Sequence, residues 1–491
     1  MVEALILAID QGTTGSTCLV IDPEGGIAGR AQTEITQHFP APGLVEHDPV
    51  EIIEVTMALA REALGEAGVD GSDLEAIGIT NQRETVVAWD RDTGEPLYRA
   101  LVWQDGRGAD RCRQLLADGF GDLVRERTGL KVDPYFSATK IEWLLGNLER
   151  PERAAFGTID SWLIRNLCGR HVTDPSNASR TMLFDITRME WDPELLNEFG
   201  VDPAMLPEVL PSAGNFGTTT DFGGEVPVTG VAGDQQAALF GQACFEPGSV
   251  KNTYGTGSFV LMNAGPDVPS PGAGTISTVA WDLGSGPTYA AEAPIFVTGA
   301  AVQWLRDGLG LIGDAAESEA IAASLDSNDG VYFVPALTGL GAPWWDPGAR
   351  GTIVGLTRGT GRAHLVRATL EAIAYQSVDA VRAQEQATGR RIEALKVDGG
   401  AVANGWLMQF QADLLGVPVM APASIETTGA GAAALAAVGA GIETPERPAG
   451  RWAAAATWEP SISRDQAGEL LAGWQRALAA CRGHAAPERT V

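Results

Sequence analysis

Residues 5–21 read LILAIDQGTTGSTCLVI. Two apolar runs, Leu5–Ile9 and Cys18–Ile21, flank a polar hinge of Gly and Thr that begins at Asp10. This pattern predicts two short strands joined by a tight turn. The same pattern recurs after Gly248, where Ser249–Thr253 and Phe259–Met262 flank YGTGS at 254–258. Between the two copies, strand and helix signals alternate. Asp48 precedes Pro49 and Glu51 as the N-cap and capping box of a helix that Gly65 and Gly68 end, and Ala76–Thr80 and Glu84–Asp90 read as strands. The fold class expected is α/β, two copies of one unit with the boundary near 240–250; a single long domain is the alternative. The expected division is 1–245, 246–482 and a loose tail, 483–491. Further on, Arg362–Thr388 reads as a long helix, Leu395–Asp398 as a strand and Ser463–Cys481 as a helix opened by a capping box.

The chain has 491 residues, 45% of them apolar and 20% charged, which is a globular and not a disordered composition. Its 63 acidic against 34 basic residues give a net charge of −29, which disfavours nucleic acid and anionic lipid as partners. Only four of the bases are lysine. Five cysteines without a CxxC pair argue for reduced thiols in a cytoplasm, with neither a disulfide framework nor a zinc site. The start carries no signal-peptide pattern. The Ala/Gly tract Gly429–Gly441 falls short of the ~20 strongly apolar residues of a membrane span. A soluble cytoplasmic protein is expected.

Three turns share one design, an apolar strand running out into Asp and Gly: Ile9–Thr14, Val231–Gln235 and Val397–Gly400. Gly admits a close ligand, free N–H groups in such turns bind anions, and an Asp at a strand tip can hold Mg2+ or take a proton. Singly, each has a plain structural reading: Asp10 opening a hairpin, Asp234 capping the helix Gln235–Gly241, Asp398 in an ordinary loop. Together they predict a phosphate site. No GxxxxGK[ST] loop or protein-kinase glycine loop is present.

The three turns resemble the two phosphate motifs and the adenosine motif of the actin and hexokinase ATPase superfamily. The stretches VEHDP (45–49), IGITNQRET (77–85), NASRTMLF (177–184), GDQQAALFGQ (233–242), NTYGTG (252–257), TGLGAPWWDP (338–347) and DGGAVAN (398–404) resemble the FGGY carbohydrate kinases, and among them those acting on glycerol. The resemblance spans about residues 5–482. It implies two actin-like (ribonuclease H-like) domains with mixed five-stranded sheets, an active site in the cleft between them, and ATP-dependent phosphorylation of glycerol to sn-glycerol 3-phosphate. It also implies a cytoplasmic homo-oligomer, a dimer or tetramer. The alternatives are another polyol or ketopentose kinase of the family, or an actin-like ATPase that is not a kinase.

By the same resemblance Asp234 is the general base, and Arg83, Glu84, Trp103, Tyr135, Asp234, Gln235 and Phe259 bind glycerol. Gly12, Thr13, Thr14, Gly15, Thr256, Gly299, Gln303, Gly400 and Asn404 bind ATP, and Asp10 holds Mg2+ through water. Without it, Arg83–Glu84 reads as a surface ion pair, Trp103 and Phe259 as core packing, and His47 only as the residue before an N-cap. Two departures stand out. Gly15, Ser16 and Thr17 replace the Ser-Ser-Arg common in the family, removing a charge expected near the phosphates. The stretch TTTDFGGEVP (218–227) lacks the Arg and His that serve regulation in some members.

Overall fold

The computed structural model describes residues 4–270, 272, 274–445 and 450–484. β1 (Leu5–Gln11), β2 (Gly15–Ile21), β3 (Ile27–Glu34), β4 (Leu74–Asn81), β5 (Ala213–Thr219) and β6 (Val226–Gly233) form a sheet in the order β5-β6-β4-β1-β2-β3. β1, β4 and β6 run parallel, while β2, β3 and β5 are antiparallel to their neighbours. β1 is apolar on both faces because both are covered, the usual signature of a central parallel strand.

The second sheet comprises β7 (Val250–Tyr254), β8 (Ser258–Gly265), β9 (Ile276–Asp282), β10 (Pro287–Ile295), β11 (Leu395–Gly399), β12 (Val419–Pro422) and β13 (Ala454–Trp458), in the order β9-β10-β8-β7-β11-β12-β13. The strings β3-β2-β1-β4-β6 and β10-β8-β7-β11-β12 are the same five-stranded pattern, three antiparallel strands leading into two parallel ones. The sheets have six and seven strands, not five, because antiparallel neighbours (β5, β9, β13) extend their ends.

α1 (Pro49–Ala67) starts as expected, with Asp48 Oδ1 accepting from the amides of Val50 and Glu51, and ends at Gly68 in the left-handed region. Glu51 closes no capping box. Its carboxylate instead accepts from the Thr36 amide and hydroxyl, tying the helix to the chain after β3. α2 (Asp234–Gly241) follows β6 directly. In the second half, α3 (Arg362–Thr388), α4 (Gly405–Leu415) and the last helix cover the outer face of the sheet, where Tyr375 and Trp474 stack with centroids 5.3 Å apart.

α5 (Thr427–Gly439) is the Ala/Gly tract, and it is buried against the first sheet rather than the second: Ala432, Ala433, Ala436 and Ala437 pack on Ile6, Ala8, Leu19, Ile21 and Ala76. It also lies against α2, so closely that a Cβ on Gly431 would overlap the Ala237 carbonyl oxygen and one on Gly241 the Thr427 carbonyl oxygen. α2 in turn packs Leu239 and Phe240 on Leu261, Ala280 and Ala290 of the second sheet. Two helices thus join the sheets. α6 (Arg464–Gly483) keeps its Ser463–Gln466 capping box and runs two residues beyond Cys481, so the expected tail begins inside a helix; residues 485–491 lie outside the described residues.

Gly→Ala within a helix usually stabilises by up to ~1 kcal/mol. At Gly431 the sign should reverse, since overpacking typically costs about 1–3 kcal/mol. Gly431→Ala is expected to lower the denaturant midpoint; an unchanged or higher midpoint would refute the backbone contact.

Candidate active site

The turn after β1 is closed by the Gly12 amide donating to the Gly15 carbonyl at 2.9 Å. The carbonyls of Gly12 and Thr13 are held from below. Gln11 Nε2 (2.8 Å) and Gln82 Nε2 (3.2 Å) donate to Gly12, and Gln37 Nε2 (2.8 Å) to Thr13. His47 lies beneath these amides, its Nε2 at 2.9 Å from Gln37 Oε1 and its Nδ1 at 3.3 Å from Gln82 Nε2. An amide oxygen only accepts and an amide nitrogen only donates, so the partners assign the Nε2–H tautomer. Burial pushes the imidazole down to about 4, which keeps it neutral. His47 is therefore more than the residue before an N-cap: through Gln37 and Gln82 it braces the turn after β1. No sequence pattern signals this, because its partners are 10 and 35 positions away.

Thr14 is exposed, while the Thr13 hydroxyl accepts from Trp103 Nε1 at 2.8 Å. Asp10 pairs in register with Thr17 across β1 and β2, so both side chains share one face of the sheet. Burial, and then the carboxylates of Asp234 and Glu426, push Asp10 up to about 8. Among the described residues its carboxylate accepts no hydrogen bond and no cluster of three metal-binding side chains exists. A single carboxylate without a hydrogen-bond partner of its own suits a cation bound chiefly by phosphates, the habit of Mg2+.

Arg83 and Glu84 are buried, not a surface pair, and each finds its main partner elsewhere. Arg83 forks onto Glu292 of β10 (Nη1–Oε2 2.6 Å, Nη2–Oε1 3.0 Å) and sets its Nε 3.2 Å from Asp234. Glu84, at φ +64°, accepts from Arg180 Nε at 2.6 Å, and Arg180 Nη2 reaches Glu292 at 3.2 Å. Burial raises the Glu84 carboxyl against the pull of Arg180 and Arg83. In Glu292 burial raises the carboxyl as well, but the two guanidiniums win and hold it below its ordinary value.

Asp234 opens α2 and is the more accessible member, its Oδ1 accepting from the Gln235 amide (2.7 Å) and its Oδ2 from Gln235 Nε2 (3.2 Å). Tyr135 meets Trp103 edge-on at 5.5 Å, and the Phe259 ring lies 5.7 Å from the Arg83 guanidinium. All seven residues expected to hold the polyol therefore converge. Arg180, Glu292 and Lys251 were missed; Arg180 stands inside the NASRTMLF stretch, but nothing in the sequence marks its buried charge as a partner of Glu84.

Across the cleft a cavity of about 500 Å³ is lined by Thr256, Gly299, Gln303, Gly400 and Asn404, with Leu370, Ile373 and Leu407 as apolar walls. These are the five second-half residues expected to bind ATP, in a space suited to a purine and ribose. Asp398 does not face it. Its Oδ2 accepts from Gln242 Nε2 and Thr427 Oγ1, both at 2.8 Å, so the third turn's carboxylate joins α5 to the residue following α2.

Residues 5–241 match the N-terminal domain of the FGGY family of carbohydrate kinases, and residues 250–440 its C-terminal domain. The chain is 54% identical over 484 residues to a glycerol kinase of Citrifermentans bemidjiense, covering 96% of this chain and 98% of the relative. It is 50% identical to glycerol kinase 2 of Thermotoga maritima, covering 97% and 99%. The crystal structure of Plasmodium falciparum glycerol kinase with ADP superimposes at a TM-score of 0.92 with 34% identity over 98% of each chain.

The raised Asp10 carboxyl has a consequence for stability. Unfolded, it titrates near 3.8; folded, at about 8. Between these values the native state binds a proton that the unfolded chain does not. Its contribution is therefore complete below the lower value and lost as pH rises through the upper one. Melting of magnesium-free wild type and Asp10→Asn should diverge between about pH 5 and 8.5, the variant losing less stability with rising pH. Parallel curves would show that the carboxyl is not held as described.

Proposed function

The chain belongs to the FGGY family of carbohydrate kinases, and from that premise we propose that it transfers the γ-phosphoryl group of ATP to glycerol, giving sn-glycerol 3-phosphate. The observation that carries the reading is the convergence of Arg83, Glu84, Tyr135, Asp234 and Gln235 between the aromatic walls of Trp103 and Phe259. Three hydroxyls on three carbons need both donors and acceptors in a small space. A guanidinium, carboxylates, a phenol and an amide supply them, while the rings cover the carbon chain.

Asp234 accepts the proton of the terminal hydroxyl as its oxygen bonds to the γ-phosphorus; the bond to the β–γ bridging oxygen breaks and ADP leaves. Gly12, Thr13, Thr14 and Gly15 receive the phosphates, and Thr256, Gly299, Gln303, Gly400 and Asn404 the nucleoside. Asp10 is the residue that would hold Mg2+, whose bound charge neutralises the phosphate oxygens. Arg83 keeps Asp234 aligned through Nε, and Trp103 links the polyol wall to the phosphate turn through Thr13.

An ADP-release assay with glycerol, erythritol, xylulose and no acceptor tests the reading: glycerol should give the largest kcat/KM, and a larger value with another acceptor, or ADP release without one, overturns it. Asp234→Asn should keep glycerol binding but lose about 10²–10⁴ in kcat. Retention of more than a third of the wild-type rate would remove Asp234 from the base role.

Thr17, on the Asp10 face, lacks the guanidinium common in the family. A charged hydrogen bond contributes roughly 1.5–3 kcal/mol against about 0.5–1.5 for a neutral one. Thr17→Arg should therefore lower the KM for ATP severalfold and leave that for glycerol within about twofold. If ATP and ADP affinities stay unchanged, position 17 has no bearing on the phosphates.

A further inference from the structure

Four of the six expected polyol contacts on the first lobe are each held by a second, fully buried charge that does not itself reach the accessible part of the site. Arg83 is held by Glu292, Glu84 by Arg180, and Gln235 by Lys251. The Tyr135 segment is held by Lys140, whose ammonium donates to the carbonyls of Pro134 (2.5 Å), Tyr135 (2.9 Å) and Phe136 (3.2 Å). Two of the chain's four lysines serve here, where acceptors converge on a compact three-donor ammonium rather than a planar fork.

Resting on the glycerol-phosphorylating reading above, we propose that Glu292 and Lys251 are positioning residues, through which the second lobe completes a polyol site whose other contacts come mostly from the first.

The geometry gives each a defined task. A guanidinium has two edges by which to meet carboxylates. The Glu292 fork takes one N–H each of Nη1 and Nη2, Nη1 also donates to Gln236 Oε1 at 3.2 Å, and the opposite edge sets Nε at ion-pair distance, 3.2 Å, from Asp234 Oδ1. Arg180 repeats the arrangement with Nε on Glu84 and Nη2 on Glu292, while its Nη1 is buried without a hydrogen-bond partner among the described residues. A guanidinium that forgoes one donor is placed by its two carboxylates rather than by its own saturation.

Lys251 Nζ lies 2.5 Å from Gln235 Oε1 and 2.8 Å from Thr253 Oγ1. An ammonium only donates, so it fixes which end of the amide faces it and turns Gln235 Nε2 onto Asp234 Oδ2. Without it, the amide is free to flip and present its oxygen to a carboxylate. Glu292 lies on β10 and Lys251 on β7, both in the sheet on which the nucleotide cavity is built, so the alignment of the base depends on the lobes being docked.

A double-mutant cycle tests this. Glu292→Gln is isosteric and should raise the KM for glycerol at least about tenfold while leaving the KM for ATP within about twofold. Because the effect passes through Arg83 and, by way of Arg180, through Glu84, the Arg83→Ala/Glu292→Gln double variant should lose clearly less than the sum of the two single losses. Additive losses, equal rises in both KM values, or an unchanged glycerol KM overturn the proposal. ADP binding by calorimetry checks that each variant is folded. If Glu292→Gln fails that check, Lys251→Met with Gln235→Ala forms the equivalent cycle and the same outcomes decide. A wild type that does not turn over glycerol would defeat the functional reading instead; a wild type that does, with a silent cycle, defeats only this inference.

Discussion

The contact on which the rest depends is the one between α2 and α5, where the backbones touch because neither helix carries a side chain at the crossing. α5 comes late in the chain yet lies on the sheet built from its beginning, and α2 ends the first half yet packs on the sheet of the second. The chain is thereby cross-braced. Asp398 completes the joint from the tip of β11, since a buried carboxylate accepting from both Gln242 and Thr427 ties the end of α2 to the start of α5. Such a pivot fixes where the two sheets meet.

Charge, not apolar area, organises the cleft. Arg83, Arg180, Glu84 and Glu292 are each buried, and removing four such groups from water is justified only by nearly saturated pairing. The bidentate Arg83–Glu292 contact crosses from one lobe to the other, so the polyol site proposed above and the docking of the lobes share an interaction. The turn after β1 uses neutral groups instead: three glutamine amides and an uncharged imidazole hold its carbonyls.

Much of this was legible in the sequence, for identifiable reasons. The strand–turn–strand motif of 5–21 and its echo at 249–262 are local, so hydrophobic runs and glycines reveal them. The cap at Asp48 and the helix Arg362–Thr388 were equally readable. Asp234 stood out by its own turn, but Arg83 and Tyr135 became visible only through family resemblance, because the meeting of the three depends on separate segments of the chain. What stayed hidden was long-range pairing: Glu292 and Arg180 are ordinary charges in sequence, and Glu51 chose Thr36 over its own helix cap because tertiary contact outweighed a local motif. The Ala/Gly tract was read only as too weak for a membrane. Its small side chains are what let two backbones meet.

The neutral imidazole under the turn after β1 sets an acid boundary for the molecule. His47 must accept at Nδ1, and a second proton there would turn a donor toward the Gln82 amide and release the support of Gly12. Its folded value of about 4 lies below the ordinary 6.5, so the stability it contributes is whole above 6.5 and disappears as pH falls through about 4. Asp10 has the opposite dependence, favouring the protonated form until about 8. A histidine and an aspartate a few side chains apart therefore confine the unliganded protein between an acid edge and an alkaline one, and a cation bound at Asp10 would relax only the alkaline edge.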